Sequence, residues 1–339
     1  LTRATAALGS PMGDGSVRDD CAEEATTFCL ENLELGDVVG KGSFAHVRLV
    51  VHRDSGKRYA LKMLAKEEVL REGRTEIVVR ERTVHALFQH PFIVPLLGRF
   101  QDPQYLYLVL EFVPGGDLFA RLQDQGRFDD GTARFYAAQA LIALEHIHSR
   151  DVVYRGLKPE DTMFAANGYI RLVDFSFAKI VPDGKQTYTL CGTPDYVAPE
   201  VLLNIGYGKP ADLWALGVLV FEMVVGRTPF VASNQMELYQ QILQGKVHRP
   251  PGSRFGLEAK TVVKGLLLAK PEERLGGRRG AKELKSAAWF AGMDWDALAK
   301  SKLSSPWLPP RDATASAHHA DVATAPALKP EEDVFLELW

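Results

Sequence analysis

The segment Gly40-Lys41-Gly42-Ser43-Phe44-Ala45-His46-Val47 follows one apolar run and opens another. Glycines there let backbone amides lie against phosphate oxygens where a side chain would obstruct them, although a tight hairpin with no ligand would use the same residues. Tyr59-Ala60-Leu61-Lys62 then ends an apolar run on a lysine. A buried ammonium needs an anionic partner, for which Glu81 on the next helical stretch is the natural candidate; a solvated strand-end lysine is the plainer alternative. Glycine loop, strand lysine and helix glutamate in this order weaken that alternative.

These residues need elements to position them. Short apolar runs separated by turn signals predict an antiparallel sheet, with strands over 35–39, 47–52, 59–64 and 105–112, a turn at Asp54-Ser55-Gly56 and one helix over 75–88, closed by Pro91. After Val113-Pro114-Gly115-Gly116 the pattern turns helical, over 117–123, 132–149, 211–225 and 235–244. A small β-rich lobe joined to a larger helical one places a cleft at the junction. Residues 1–32 read as a flexible extension, and the segment from Pro306 onward as a tail running over the surface.

Three further segments carry the most information: Tyr154-Arg155-Gly156-Leu157-Lys158-Pro159-Glu160-Asp161, Asp174-Phe175-Ser176, and Gly192-Thr193-Pro194-Asp195-Tyr196-Val197-Ala198-Pro199-Glu200. With them the chain resembles the eukaryotic protein kinases over roughly residues 33–307. Tyr154-Arg155 and Thr189-Leu190-Cys191-Gly192-Thr193-Pro194 make it most similar to the cAMP-dependent kinases of the AGC group. The resemblance implies an α+β bilobal fold: a kinase domain over 33–290, with a small antiparallel N-lobe (33–112) and a mainly helical C-lobe (117–290), then an AGC-type tail over 291–339.

By the same resemblance ATP is the nucleotide. Gly40, Gly42, Ser43 and Val47 cover it, Ala60 and Met163 flank the adenine, and Leu110 is the gatekeeper. The linker from Glu111 to Val113 bonds the base and Asp117 approaches the ribose. Lys62 holds the α- and β-phosphates, Glu81 orients Lys62, and Lys158 neutralises the transferring group. Asp174 and Asp161 are the expected ligands for Mg2+, or Mn2+, since a hard cation bridging phosphates demands carboxylate oxygens. Thr189 matches an activation-segment phosphosite facing Arg155 and Lys179, with an ordinary exposed threonine as the alternative. Asp117, Glu160, Asp195 and Glu222 stand where related kinases bind arginines before the target serine or threonine, and Glu200 with Arg274 is expected as a buried structural pair.

The pattern breaks at Gly156, where the family has the aspartate that accepts the substrate hydroxyl's proton. Asp161 replaces an asparagine, Ser176 and Ala45 replace glycines, and His85 takes a helix position usually apolar, either as a satisfied core residue or as a weakened contact between the lobes. The expected function is a serine/threonine kinase of impaired turnover acting on basic peptides; the alternative is a pseudokinase that captures such peptides or an inhibitory regulatory subunit. A purely structural fragment is disfavoured because Lys62, Glu81, Lys158 and Asp174 all remain. The terminal Phe335-Leu336-Glu337-Leu338-Trp339 could fold onto the small lobe, as terminal aromatic motifs do in AGC kinases, or simply fray.

A chain of 339 residues, 46% hydrophobic and 24% charged, can bury a large core. Its net charge of -3 gives no basic excess of the kind that tracks nucleic acid. Cys21, Cys29 and Cys191 make no disulfide framework, which suits the cytoplasm or nucleus. No apolar run reaches membrane-spanning length.

Overall fold

The computed structural model describes residues 28–42, 45–248, 256–310 and 325–339. Five strands, β1 (Leu33–Lys41), β2 (Ala45–His52), β3 (Arg58–Ala65), β4 (Leu96–Gln101) and β5 (Tyr105–Glu111), form one antiparallel sheet in the order β1-β2-β3-β5-β4. Between β3 and β4 lie α1 (Lys66–Arg71) and α2 (Thr75–His85). The continuous apolar run of β5 fits its place between two strands, where residues 105–110 are buried from both faces. Neither α1 nor β4 is expected from the sequence. The extension expected to be flexible over 1–32 is ordered at its end, where Phe28 packs edge-on against Tyr59; residues 1–27 lie outside the described part.

The second half is helical. It contains α3 (Leu118–Gln125), α4 (Asp130–His148), the short strands β6 (Val152–Val153), β7 (Thr162–Phe164), β8 (Ile170–Leu172) and β9 (Lys179–Ile180), then α5 (Pro199–Leu202) and α6 (Pro210–Val225). The rest is α7 (Gln235–Gln244), α8 (Leu257–Leu266), α9 (Ala281–Lys285), α10 (Trp295–Ala299) and α11 (Phe335–Leu338). Asp129 caps α4, its carboxylate accepting the Thr132 amide at 3.0 Å. The α6 helix is apolar nearly all round and runs through the core of this lobe. It ends at Gly226 (φ 87°), where a Cβ would lie 2.1 Å from the Gly126 carbonyl oxygen, so only glycine fits. Arg274 and Glu200 form the expected bidentate pair, both bonds 2.8 Å, with neither side chain more than 1% exposed.

A small apolar cluster joins the lobes: Val94, Leu110 and Val113, against Ala60, Met163 and Val173. It floors the cleft between them.

Among its described residues the tail is mostly exposed, running over the surface as expected, and it is anchored on both lobes. Trp307 packs edge-on against Phe164 of the C-lobe at 4.8 Å, with Arg121 over its ring. Phe335 is wholly buried among Leu64, Val69, Val78 and Leu106 of the N-lobe. The Trp339 indole N–H donates to the Phe100 carbonyl (2.9 Å) and the Leu328 amide to Pro103 (2.9 Å). The gap between α1, α2 and the sheet is apolar, and Phe335 fills it. Docking of the terminal aromatic segment is thus the arrangement found.

Candidate functional site

The cleft is lined from the N-lobe by Gly40, Gly42, Val47, Ala60 and Lys62, from the linker by Leu110, Glu111, Val113 and Asp117, and from the C-lobe by Lys158, Glu160, Asp161, Met163 and Asp174. Ser43 lies outside the described residues. The Gly42 amide donates to the Ala45 carbonyl (2.7 Å) and closes the glycine turn. Ala60 of the N-lobe and Met163 of the C-lobe line the apolar part of the cleft beside the linker.

At the inner end, the Lys62 ammonium donates to Glu81 at 2.5 Å and to Asp174 at 3.3 Å. Burial lowers its proton affinity, but Asp174 and Glu81 outweigh that and hold the group well above the ordinary lysine value. Ser176 donates to Asp174 twice, from its amide (3.1 Å) and its hydroxyl (3.0 Å), so the serine secures the carboxylate it follows. Burial and the neighbouring Asp174 push Asp161 up to about 7 against the pull of Lys158, whose ammonium lies 3.3 Å away. Two carboxylates crowded beside two ammonium groups form a hard-oxygen donor set suited to a divalent cation.

Asp212, on α6, organises the loop that carries Gly156. Its buried carboxylate accepts the amides of Tyr154 (2.8 Å) and Arg155 (2.7 Å) and Nε2 of His148 (2.7 Å). Arg155 is held at φ 62°, an unusual conformation for a residue with a side chain. A Cβ built on Gly156 would meet Asp174 O and Tyr154 Cζ at 3.5 Å, ordinary contact distances, so the loop accommodates a side chain there. His85 is both satisfied and stacked: its Nε2 donates to the Val94 carbonyl (2.7 Å) and its ring lies 4.5 Å from Phe175, which in turn meets Tyr154 at 5.1 Å.

Thr189 is exposed. The two cations expected to face it have other partners: Arg155 donates to the Phe177 carbonyl (2.6 Å) and the Tyr207 hydroxyl (2.9 Å), and Lys179 to Thr187 (3.1 Å). Tyr207 ties the site together, donating to the Thr189 carbonyl at 2.6 Å. Of the four acids, Glu160, Asp195 and Glu222 share one field, and Glu222 accepts the Tyr196 hydroxyl. Asp117 caps α3, accepting the Ala120 amide at 2.7 Å, and meets Glu160 only at the cleft.

Residues 33–290 match the protein kinase domain family. The chain belongs to that family. The chain is 40% identical over 284 residues to the cAMP-dependent protein kinase type 3 of Saccharomyces cerevisiae, an overlap covering 84% of this chain and 70% of that one. To the human cAMP-dependent protein kinase catalytic subunit PRKX it is 39% identical over 287 residues, covering 84% and 79%. Against the cGMP-dependent protein kinase egl-4 of Caenorhabditis briggsae, identity is 39% over 335 residues, 98% of this chain but 44% of that relative, so the chain spans less than half its length. These relatives mark the kinase domain as one of the serine/threonine, AGC type.

Sequence reasoning did not assign loop support to Asp212, nor any role to Tyr207 or to Arg171, whose Nε lies 3.5 Å from Glu111. An aspartate near the start of an otherwise largely apolar helix was the available signal for the first; a hydroxyl that bonds only across the fold leaves none.

Proposed function

We propose that the kinase domain binds ATP with Mg2+ in this cleft, docks basic peptides along Glu160, Asp195 and Glu222, and transfers phosphate slowly because Gly156 provides no base. The observation that carries this reading is Lys62, held between Glu81 and Asp174 at the inner end of the cleft. The apolar part of the cleft lined by Ala60 and Met163 suits a purine, and Asp161 with Asp174 suits the metal. Bound there, ATP and Mg2+ supply the phosphoryl group and the charge that offsets its oxygens.

The chain's residues do the remainder. Lys62 orients the α- and β-phosphates, and Lys158 neutralises charge on the transferring group. Nothing at Gly156 can accept the substrate hydroxyl's proton or aim its oxygen. General-base catalysis contributes typically about 10²- to 10⁴-fold, while positioning and charge carry much of phosphoryl transfer, so a residual rate is expected. Thr189 is the candidate phosphosite, with Arg155 exchanging its neutral partners for the phosphate. The cysteine content supports a cytoplasmic or nuclear setting. Among the described residues no helix is long and apolar enough to cross a membrane.

A second reading, a pseudokinase that binds basic peptides or an inhibitory subunit without turning over, is favoured by one pairing: an acidic groove kept beside an absent base. Single-turnover transfer from ATP to an arginine-rich serine peptide, comparing the chain with Gly156→Asp, separates the two. Slow transfer that aspartate accelerates supports the first; none before and recovery after supports the second. Transfer unaffected by the substitution contradicts both.

A further inference from the structure

Where the α2–β4 connection crosses the end of α4 and β8, four nitrogen-bearing side chains gather outside the cleft. His90 and His146 lie with ring centroids 4.5 Å apart, tilted by 37°. The Phe92 amide donates to His90 Nδ1 (3.1 Å), which places the imidazole proton on Nε2. Arg150 Nη1 lies 3.3 Å from His146 Nδ1, with the same consequence, and Nε2 of His146 is covered yet without an acceptor. Nε of Arg171 is likewise covered and makes no hydrogen bond, its nearest counter-charge being Glu111 at 3.5 Å.

Arg150 is exposed and, among the described residues, has no carboxylate within ion-pair distance; it bonds the His146 carbonyl and Ser149. Burial, followed by His146, Arg171 and Arg150, holds His90 down at about 4, so the groups crowd one another and both imidazoles are neutral at pH 7. Glu145, next to His146 in sequence, is engaged by Lys285, His148 by Asp212, and Glu111 faces Arg171. Donors gathered this closely, with more positive than negative charge, leave N–H groups unpaired at a cost that an incoming oxyanion removes.

We propose that His90, His146, Arg150 and Arg171 form a phosphate-binding site, separate from the nucleotide cleft, that takes a tetrahedral oxyanion. The two imidazoles are close enough for one such anion to accept from both, a turn of the half-buried His146 ring bringing its Nε2 outward. Arg150 and Arg171 supply charge. The anion comes either as free phosphate or as a phosphate monoester.

The test uses the full chain with 15N-labelled histidine, titrated at pH 7 with inorganic phosphate and, separately, with O-phosphoserine. Saturable shifts confined to His90 and His146 among the nine histidines are expected, with affinity falling tenfold or more in Arg150→Gln and Arg171→Gln. Tighter binding of O-phosphoserine identifies a monoester as the ligand, and tighter binding of inorganic phosphate identifies the free ion. Absence of saturation at concentrations on the order of 10 mM overturns the site. So does a response spread over all histidines or one unchanged in Arg150→Gln; that residue is exposed, so the variant's fold is not at issue.

Discussion

The ammonium of Lys66, at the start of α1, bonds the carboxylate of Asp333 from the far end of the chain, and both side chains are buried, 1% and 4% exposed. Removing one partner strands the other charge in an apolar setting, which costs about 3–5 kcal/mol. Asp333→Ala is therefore expected to lower Tm by roughly 5–10 °C, and Phe335→Ala, which empties the pocket beside the pair, by a comparable amount. Calorimetry of both variants checks this. Unchanged melting would mean that the tail contributes nothing to the fold.

His85 makes stability fall with acid. Burial, reinforced by Lys62 and opposed by the Val94 carbonyl and Asp174, holds it at about 4, below the ordinary 6.5. Between these values the unfolded chain carries a proton that the folded chain refuses, so stability present above pH 6.5 is lost as pH falls towards 4, by about 2 kcal/mol at pH 5. His90 and His146, also lowered, act with the same sign. Urea midpoints at pH 7.5 and pH 5 should therefore lie closer together in His85→Leu, and an equal gap in both proteins would contradict this account.

Asp212→Ala leaves the amides of Tyr154 and Arg155 and the His148 ring without their acceptor. At about 1–3 kcal/mol for each unsatisfied buried group, the loss is several kcal/mol, and Asp212→Asn, which keeps one oxygen, loses less. Amide exchange at residues 154–158 should accelerate in the alanine variant. Exchange at the native rate would show that the loop is held by something else.

Glu222→Gln should weaken binding of an arginine-rich peptide about tenfold at low salt, with the difference shrinking as salt rises. Burial, with Glu160 and Asp195 nearby, raises the Glu222 carboxyl above its ordinary value despite the Tyr196 bond. Its charge is thus lost earlier on acidification, and the native chain should bind the peptide less well at pH 5.5 than at pH 7.5. Calorimetric titration at two salt concentrations and two pH values reads both effects.

The cleft was legible because its chemistry is written in short segments with fixed order: the glycine turn, Lys62, Glu81 and Asp174 lie far apart in sequence but each announces itself locally. The sheet was partly legible. β4 was not, since Leu96-Leu97-Gly98-Arg99-Phe100-Gln101 neither alternates nor forms a continuous apolar run, and its pairing with β5 shifts register between Leu96 and Gly98. Six-residue α1 has no side-chain cap to mark its start. Lys66, followed by two glutamates, carries no local signal of burial; only Asp333, 267 residues later, explains it. His85 was ambiguous for the same reason, its acceptor being a carbonyl that no sequence pattern reports.

Trp307 rests on the C-lobe and Phe335 inside the N-lobe, so one stretch of chain holds both halves of the molecule. Its docking is consequently intramolecular, with an effective concentration that the covalent connection sustains. A free peptide of the same sequence, added in trans, would have to approach that concentration before it displaced the tail. Occupancy of the pocket around Phe335 is therefore insensitive to protein concentration, and cutting the chain anywhere between Trp307 and Phe335 would make it dilutable.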